Sequence, residues 1–191
     1  MIAFSRLATF VFLILSLSFL VCASPNADGK HELLGRGDSC NKINDMLVDL
    51  RAQLDYHLGT CTDDDVLGNI EVHLTGPMMA KIGKTTNAIV AIGVIADVDA
   101  KIKTDIAAHI AAVVVIVVKI LIKVSAKISL SVLAKICADI DVCLKALLVA
   151  LNVCVQGVLG LSLKFIVDLT VLVFLKVKLG LCADVLGLLK L

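Results

Sequence analysis

From Val94 to Leu151 the chain runs without a single glycine, proline or asparagine. Those residues supply most turn chemistry, and an all-β domain needs a turn signal about every 8–12 residues. A strand cannot extend that far, whereas helices joined by short loops at Asp or Ser can. Polar residues here also recur at four-residue steps: Asp97, Lys101, Asp105 and His109, then Lys119, Lys123 and Lys127. That spacing marks successive turns of a helix, and Ala, Leu and Lys are good helix formers.

A second pattern opposes the first. Every even position from Ile120 to Leu144 is apolar, and every odd position from Val153 to Val185 is apolar or Gly. Polar pairs two apart, such as Asp97/Asp99, Asp139/Asp141 and Lys176/Lys178, fit one face of a strand, and abundant Val and Ile agree. The missing turns outweigh the alternation. The expected fold is mostly α, a disulfide-clamped helical bundle with a hydrophobic C-terminal half; a β-rich C-terminal half is the alternative.

The N-terminus has its own logic. Arg6 precedes an apolar run from Leu7 to Val21, then Val21-Cys22-Ala23 and Ser24-Pro25-Asn26. A positive start, a hydrophobic run of this length and small residues at a cut site predict a secretory signal peptide over residues 1–23. Cleavage leaves 17 basic and 17 acidic side chains and removes four of the six phenylalanines. The remaining chain divides into a flexible polar leader (24–38), an acidic half (39–96) and a lysine-punctuated aliphatic half (97–191). The last two are expected to form one structural unit.

In the acidic half, Ile43, Met46, Leu47, Leu50, Leu54 and Leu58 follow three- and four-residue steps, with Ser39 as cap and Gly59 after the last apolar position. This predicts an amphipathic helix. Thr62 and Asp65 have the spacing of a capping box, and Pro77 marks a break.

In the aliphatic half, Lys119, Lys123, Lys127 and Lys135 interrupt the run Val117–Ile136. Lysine at a bilayer centre costs about 2.5–3.5 kcal/mol, so the run is expected to form an amphipathic layer and not a span. Its lysines would keep one side wet. The longest uncharged stretch, Ala146–Leu163, has 18 residues, near the lower limit for spanning.

Six cysteines remain after cleavage: Cys40, Cys61, Cys137, Cys143, Cys154 and Cys182. An even number in a secreted chain predicts three disulfides. A continuous helix would hold Cys40 and Cys61 about 30 Å apart, and Cys137 and Cys143 would face different sides of another. Both front-half cysteines are therefore expected to bond to the back half.

No catalytic or cofactor signature stands out. Arg36-Gly37-Asp38 matches a short adhesion tripeptide in the expected leader, a weak signal beside its reading as a polar loop. Gly83-Lys84-Thr85 lacks the upstream Gly of a phosphate loop, since position 78 is Met. His31, His57, His73 and His109 have no partner at metal or triad spacing. No metal, cofactor or enzymatic activity is expected, and the balanced charge and scarce aromatics argue against nucleic acid.

A signal ending in Val21-Cys22-Ala23-Ser24-Pro25, a Cys-flanked helix in an acidic half and a lysine-punctuated aliphatic half resemble the secreted, non-hydrophobin structural wall proteins of mushroom-forming fungi. The likeness covers the layout of the whole chain. It implies an extracellular structural protein of the cell wall or hyphal surface that aids aerial hypha formation and attachment. Self-association and contact with hydrophobic surfaces would be its working interactions. Membrane or lipid binding by lysine-flanked apolar faces is the alternative.

Overall fold

The computed structural model describes residues 35–60 and 74–188. The expected signal peptide, most of the leader, the Thr62/Asp65 capping box and Cys61 lie outside the described residues. The described residues are helical with no strand: α1 (Gly35–Thr60), α2 (Gly76–Ile92), α3 (Ala100–Ser125), α4 (Leu130–Cys154), α5 (Val158–Ser162), a 3-10 turn (Leu163–Phe165), α6 (Leu169–Lys178) and α7 (Gly180–Val185). The alternating apolar pattern of the back half therefore does not produce a β-rich C-terminal half here.

The loops fall where side-chain caps permit them. Asp99 closes the start of α3, its Oδ1 accepting from Lys101 N at 2.8 Å and Ile102 N at 3.3 Å. Ser129 precedes α4 without a side-chain cap bond, and Pro77 sits in the first turn of α2, where its missing N–H costs nothing. Gly157, at φ +73°, turns the chain after α4; α4 and the α5–3-10 segment that follows meet at a 115° bend.

Helix α3 is the centre of the fold. It packs against α1, α4, α5, the 3-10 turn and α6. Twelve of its residues are buried, from Ile106 to Val124, and at 3.6 residues per turn they sweep an arc of roughly 220°. Lys101, Asp105, Lys119 and Lys123 occupy the remaining exposed strip. Among the described residues α3 alone is long and apolar enough to cross a membrane, yet most of that apolar stretch is buried among its neighbours. It is the core helix of the bundle.

The thiols show how α2 and α4 lie. Cys143 donates to the Met79 carbonyl at 3.6 Å, and Cys154 to the Ile89 carbonyl at 3.4 Å. Both sequence numbers rise together, so the two helices run in the same direction. The amphipathic reading of α1 is sound in its core: Ile43, Leu47, Leu50 and Leu54 are fully buried.

Two expectations are corrected. First, α1 begins at Gly35, not after Ser39, so Arg36, Gly37 and Asp38 lie on helical backbone and not in a flexible loop. Asp38 stands in the first turn, where a carboxylate opposes the helix dipole favourably. Second, Cys40, Cys137, Cys143, Cys154 and Cys182 are all free thiols. Three bridges involving Cys61 would still require two among these five, and none is formed. All five are buried or half-buried, and the bonds that three of them make run to carbonyls. They act as small hydrophobes in helix seams, not as a clamp.

Candidate interfacial surface

Helix α6 has an unusual distribution of apolar residues. Asp168 starts it, Oδ1 accepting from Thr170 N at 2.9 Å and Val171 N at 3.4 Å. Val171 and Leu175 then bury the inner face, with Leu172 and Phe174 partly buried against the core. The outer face would ordinarily be polar. Instead Leu169, Val173 and Val177 follow i, i+4, i+8 along it, exposed to 74%, 53% and 69%. Ahead of the helix, buried Ile166 anchors the chain while Val167 beside it stands 85% exposed. Phe165, one of two phenylalanines after the expected cleavage site, is also exposed.

A second outward stripe lies on α4. Ala138, Val142, Ala146, Val149 and Val153 recur at three- or four-residue steps and are all exposed. Isolated surface valines need no explanation, but aligned exposed aliphatics mark a contact surface. Lysine sits beside these apolar positions. Lys164, Lys176 and Lys178 are exposed around α6, and Lys135 begins the α4 stripe.

The four lysines singled out in the sequence, Lys119, Lys123, Lys127 and Lys135, are all exposed. Between them Val117, Val118, Ile120, Leu121, Val124, Leu133 and Ile136 are buried. The oily side of that stretch therefore faces inward except at the start of α4, where Leu130 and Val132 are exposed to 78% and 40%. Lys123 Nζ donates to the Leu58 carbonyl at 3.2 Å, placing the C-terminal turns of α1 and α3 together. Further outward-facing aliphatics form rows on α4 and α6. Sequence alternation could not separate the two sets, because α6 is apolar on both faces.

Other candidate chemistry disperses. His57 is buried in α1, while His109 lies half-buried in α3. Burial, then the nearby Lys81 ammonium, pull the His57 imidazole below its ordinary range. Burial raises every described thiol, so none is an activated nucleophile. Among the described residues no three His, Cys, Asp or Glu side chains converge as a metal site. Comparison with family models, curated proteins and solved structures finds no match.

Sequence reasoning missed Asp141. It is buried in α4, and its carboxylate accepts from the backbone N–H groups of Leu181 and Cys182, both at 2.9 Å. Asp139/Asp141 had suggested one face of a strand; on the helix Asp139 is exposed and Asp141 turns inward. The available signal was helical spacing, which puts Asp141 on the same face as buried Cys137 and Leu144, where a carboxylate must find donors, and not on that of Asp139.

Proposed function

We propose that this chain is a secreted, non-enzymatic structural protein of the fungal cell wall or hyphal surface, one that adsorbs or self-associates at hydrophobic interfaces and so aids aerial growth and attachment. The observation that supports this reading is the outward aliphatic row Val167, Leu169, Val173 and Val177. A bundle that already buries a full core gains nothing from such a row in water. At an air, wall or plastic boundary the same residues leave water, at about 25 cal/mol per Å² of apolar area covered. Exposed lysines keep the remaining surface solvated. Near-balanced charge lowers the repulsion between adsorbed copies. Purified protein without residues 1–23 is expected to lower the surface tension of water and coat hydrophobic plastic. Failure on both counts rejects the proposal.

Lipid binding is the second reading, favoured by Lys164, Lys176 and Lys178 around the same apolar row. A helix with one oily face and flanking lysines can lie in the headgroup region of an anionic bilayer. Sedimentation with anionic vesicles but no coating of plastic would select it over the first reading.

A further inference from the structure

A second surface feature lies away from the aliphatic row, at the corner where α2 passes into α3 beside the end of α4. Val94, Ile95, Ala96, Asp97, Val98, Lys103, Val155 and Gln156 line a solvent-open cavity of about 370 Å³. A bond from Ile95 N to the Cys154 carbonyl, 2.9 Å long, fastens the loop to α4. The volume falls at the low end of small-molecule sites, commonly 300–1,000 Å³.

The polar side chains of this cavity are unengaged, and Asp97 and Gln156 are exposed. Lys103 and Asp97 line the same space, yet their side chains form no ion pair with each other or with another described residue. The Gln156 amide makes no side-chain hydrogen bond among the described residues either. Two backbone features hold this arrangement. Asp97 is the one described non-glycine residue at positive φ, +55°, a conformation that Asp and Asn tolerate better than most. Gly157 has φ +73°, and a Cβ added there would stand 3.3 Å from Lys103 Nζ. The ammonium therefore lies close over a glycine that could not readily carry a side chain. Val94, Ile95, Val98 and Val155 supply the apolar part of the wall.

We infer that this cavity binds a small zwitterion, its anionic group on Lys103 and its ammonium on Asp97, with an adjoining aliphatic group against the valines. Opposite charges that share a cavity without pairing are complementary to a ligand bearing both charges. An anion alone would leave Asp97 unpaired and close to it, and a cation alone would leave Lys103 so. Gln156 can donate to the anion or accept from the ammonium. A free aliphatic amino acid and a phosphoethanolamine headgroup share this chemistry.

Calorimetric or NMR titration of the full secreted chain tests the inference with four probes: leucine, O-phosphoethanolamine, 4-methylpentanoate and isoamylamine. The last two are leucine without its amine and without its carboxylate. At least one zwitterion is expected to saturate the site and to bind about tenfold more tightly than either single-charge analogue, the usual scale of one charged hydrogen bond. Which zwitterion binds better distinguishes the free amino acid from the headgroup. Asp97→Asn keeps a residue suited to positive φ and should abolish the preference for leucine over 4-methylpentanoate. Lys103→Gln should abolish the preference over isoamylamine. Absence of saturable binding, equal binding of the single-charge analogues, or unchanged selectivity in both variants overturns the inference.

Discussion

Asp141 and Cys182 are joined twice: Asp141 Oδ1 accepts the Cys182 N–H at 2.9 Å, and the Cys182 thiol donates to the Asp141 carbonyl at 3.5 Å. With the Leu181 N–H on the other carboxylate oxygen, a single buried acid holds the start of α7 onto α4. Asp141→Ala would leave two N–H groups without their acceptor. We predict a loss of about 2–4 kcal/mol in denaturant unfolding, with a smaller loss for Asp141→Asn, which keeps one acceptor oxygen. An unchanged unfolding midpoint for the alanine variant would show that α7 does not depend on this contact.

The thiols give a second expectation. The half-buried Cys143 should react with a soluble alkylating agent before the four buried cysteines of the described residues. Cys182 should react last, because burial, then the hydrogen bond with Asp141 and the charge of its carboxylate, push its thiol far above the usual range. A reducing agent should leave the melting temperature within about 1 °C, since no bridge joins the five described cysteines. Mass spectrometry of a non-reduced digest showing bridges among Cys137, Cys143, Cys154 and Cys182 would contradict this account.

His57 predicts a pH effect. Burial and Lys81 lower its folded-state pKa below the unfolded value near 6.5. The folded state therefore favours neutral imidazole, and the unfolded state takes up the proton first as pH falls. This contribution is full above about pH 6.5 and is lost progressively as pH drops through the folded pKa. Unfolding free energy should decline between pH 7.5 and 5, and His57→Gln should flatten that part of the profile. Equal slopes in both proteins would exclude His57 as the cause.

Core and surface positions of α3 should separate cleanly. Leu121 is fully buried, and Leu121→Ala should cost about 2–5 kcal/mol through lost burial and a residual cavity. Lys123→Ala removes an exposed ammonium and its bond to Leu58, so a change below about 1 kcal/mol is expected. Thermal or denaturant unfolding of the two variants decides whether α3 is the core helix.

Much of this fold was legible because turn-forming residues are so unevenly placed. The absence of Gly, Pro and Asn from 94 to 151 foretold long helices, and Asp99 and Ser129 are the kind of loop residues anticipated. The start of α1 was not legible, since Gly35 and Gly37 read as a loop while the backbone there is helical. Cysteine parity misled more seriously. Counting thiols says nothing about distance, and no two of the five described thiols are bonded, although three share α4. The interfacial row was hidden for a different reason: Leu169, Val173 and Val177 share α6 with inward Val171 and Leu175, so only packing distinguishes the faces.

Adsorption by α6 is the central claim, and a matched pair of proteins tests it most directly. Val167→Asp, Leu169→Asp and Val173→Asp change exposed side chains, so the triple variant should retain the helical circular dichroism of the parent. Surface tension and coverage of hydrophobic plastic are then measured for both proteins at equal concentration. The account predicts that the parent lowers surface tension and coats the plastic, and that the folded variant loses most of both effects. Equal surface activity of parent and folded variant would contradict it.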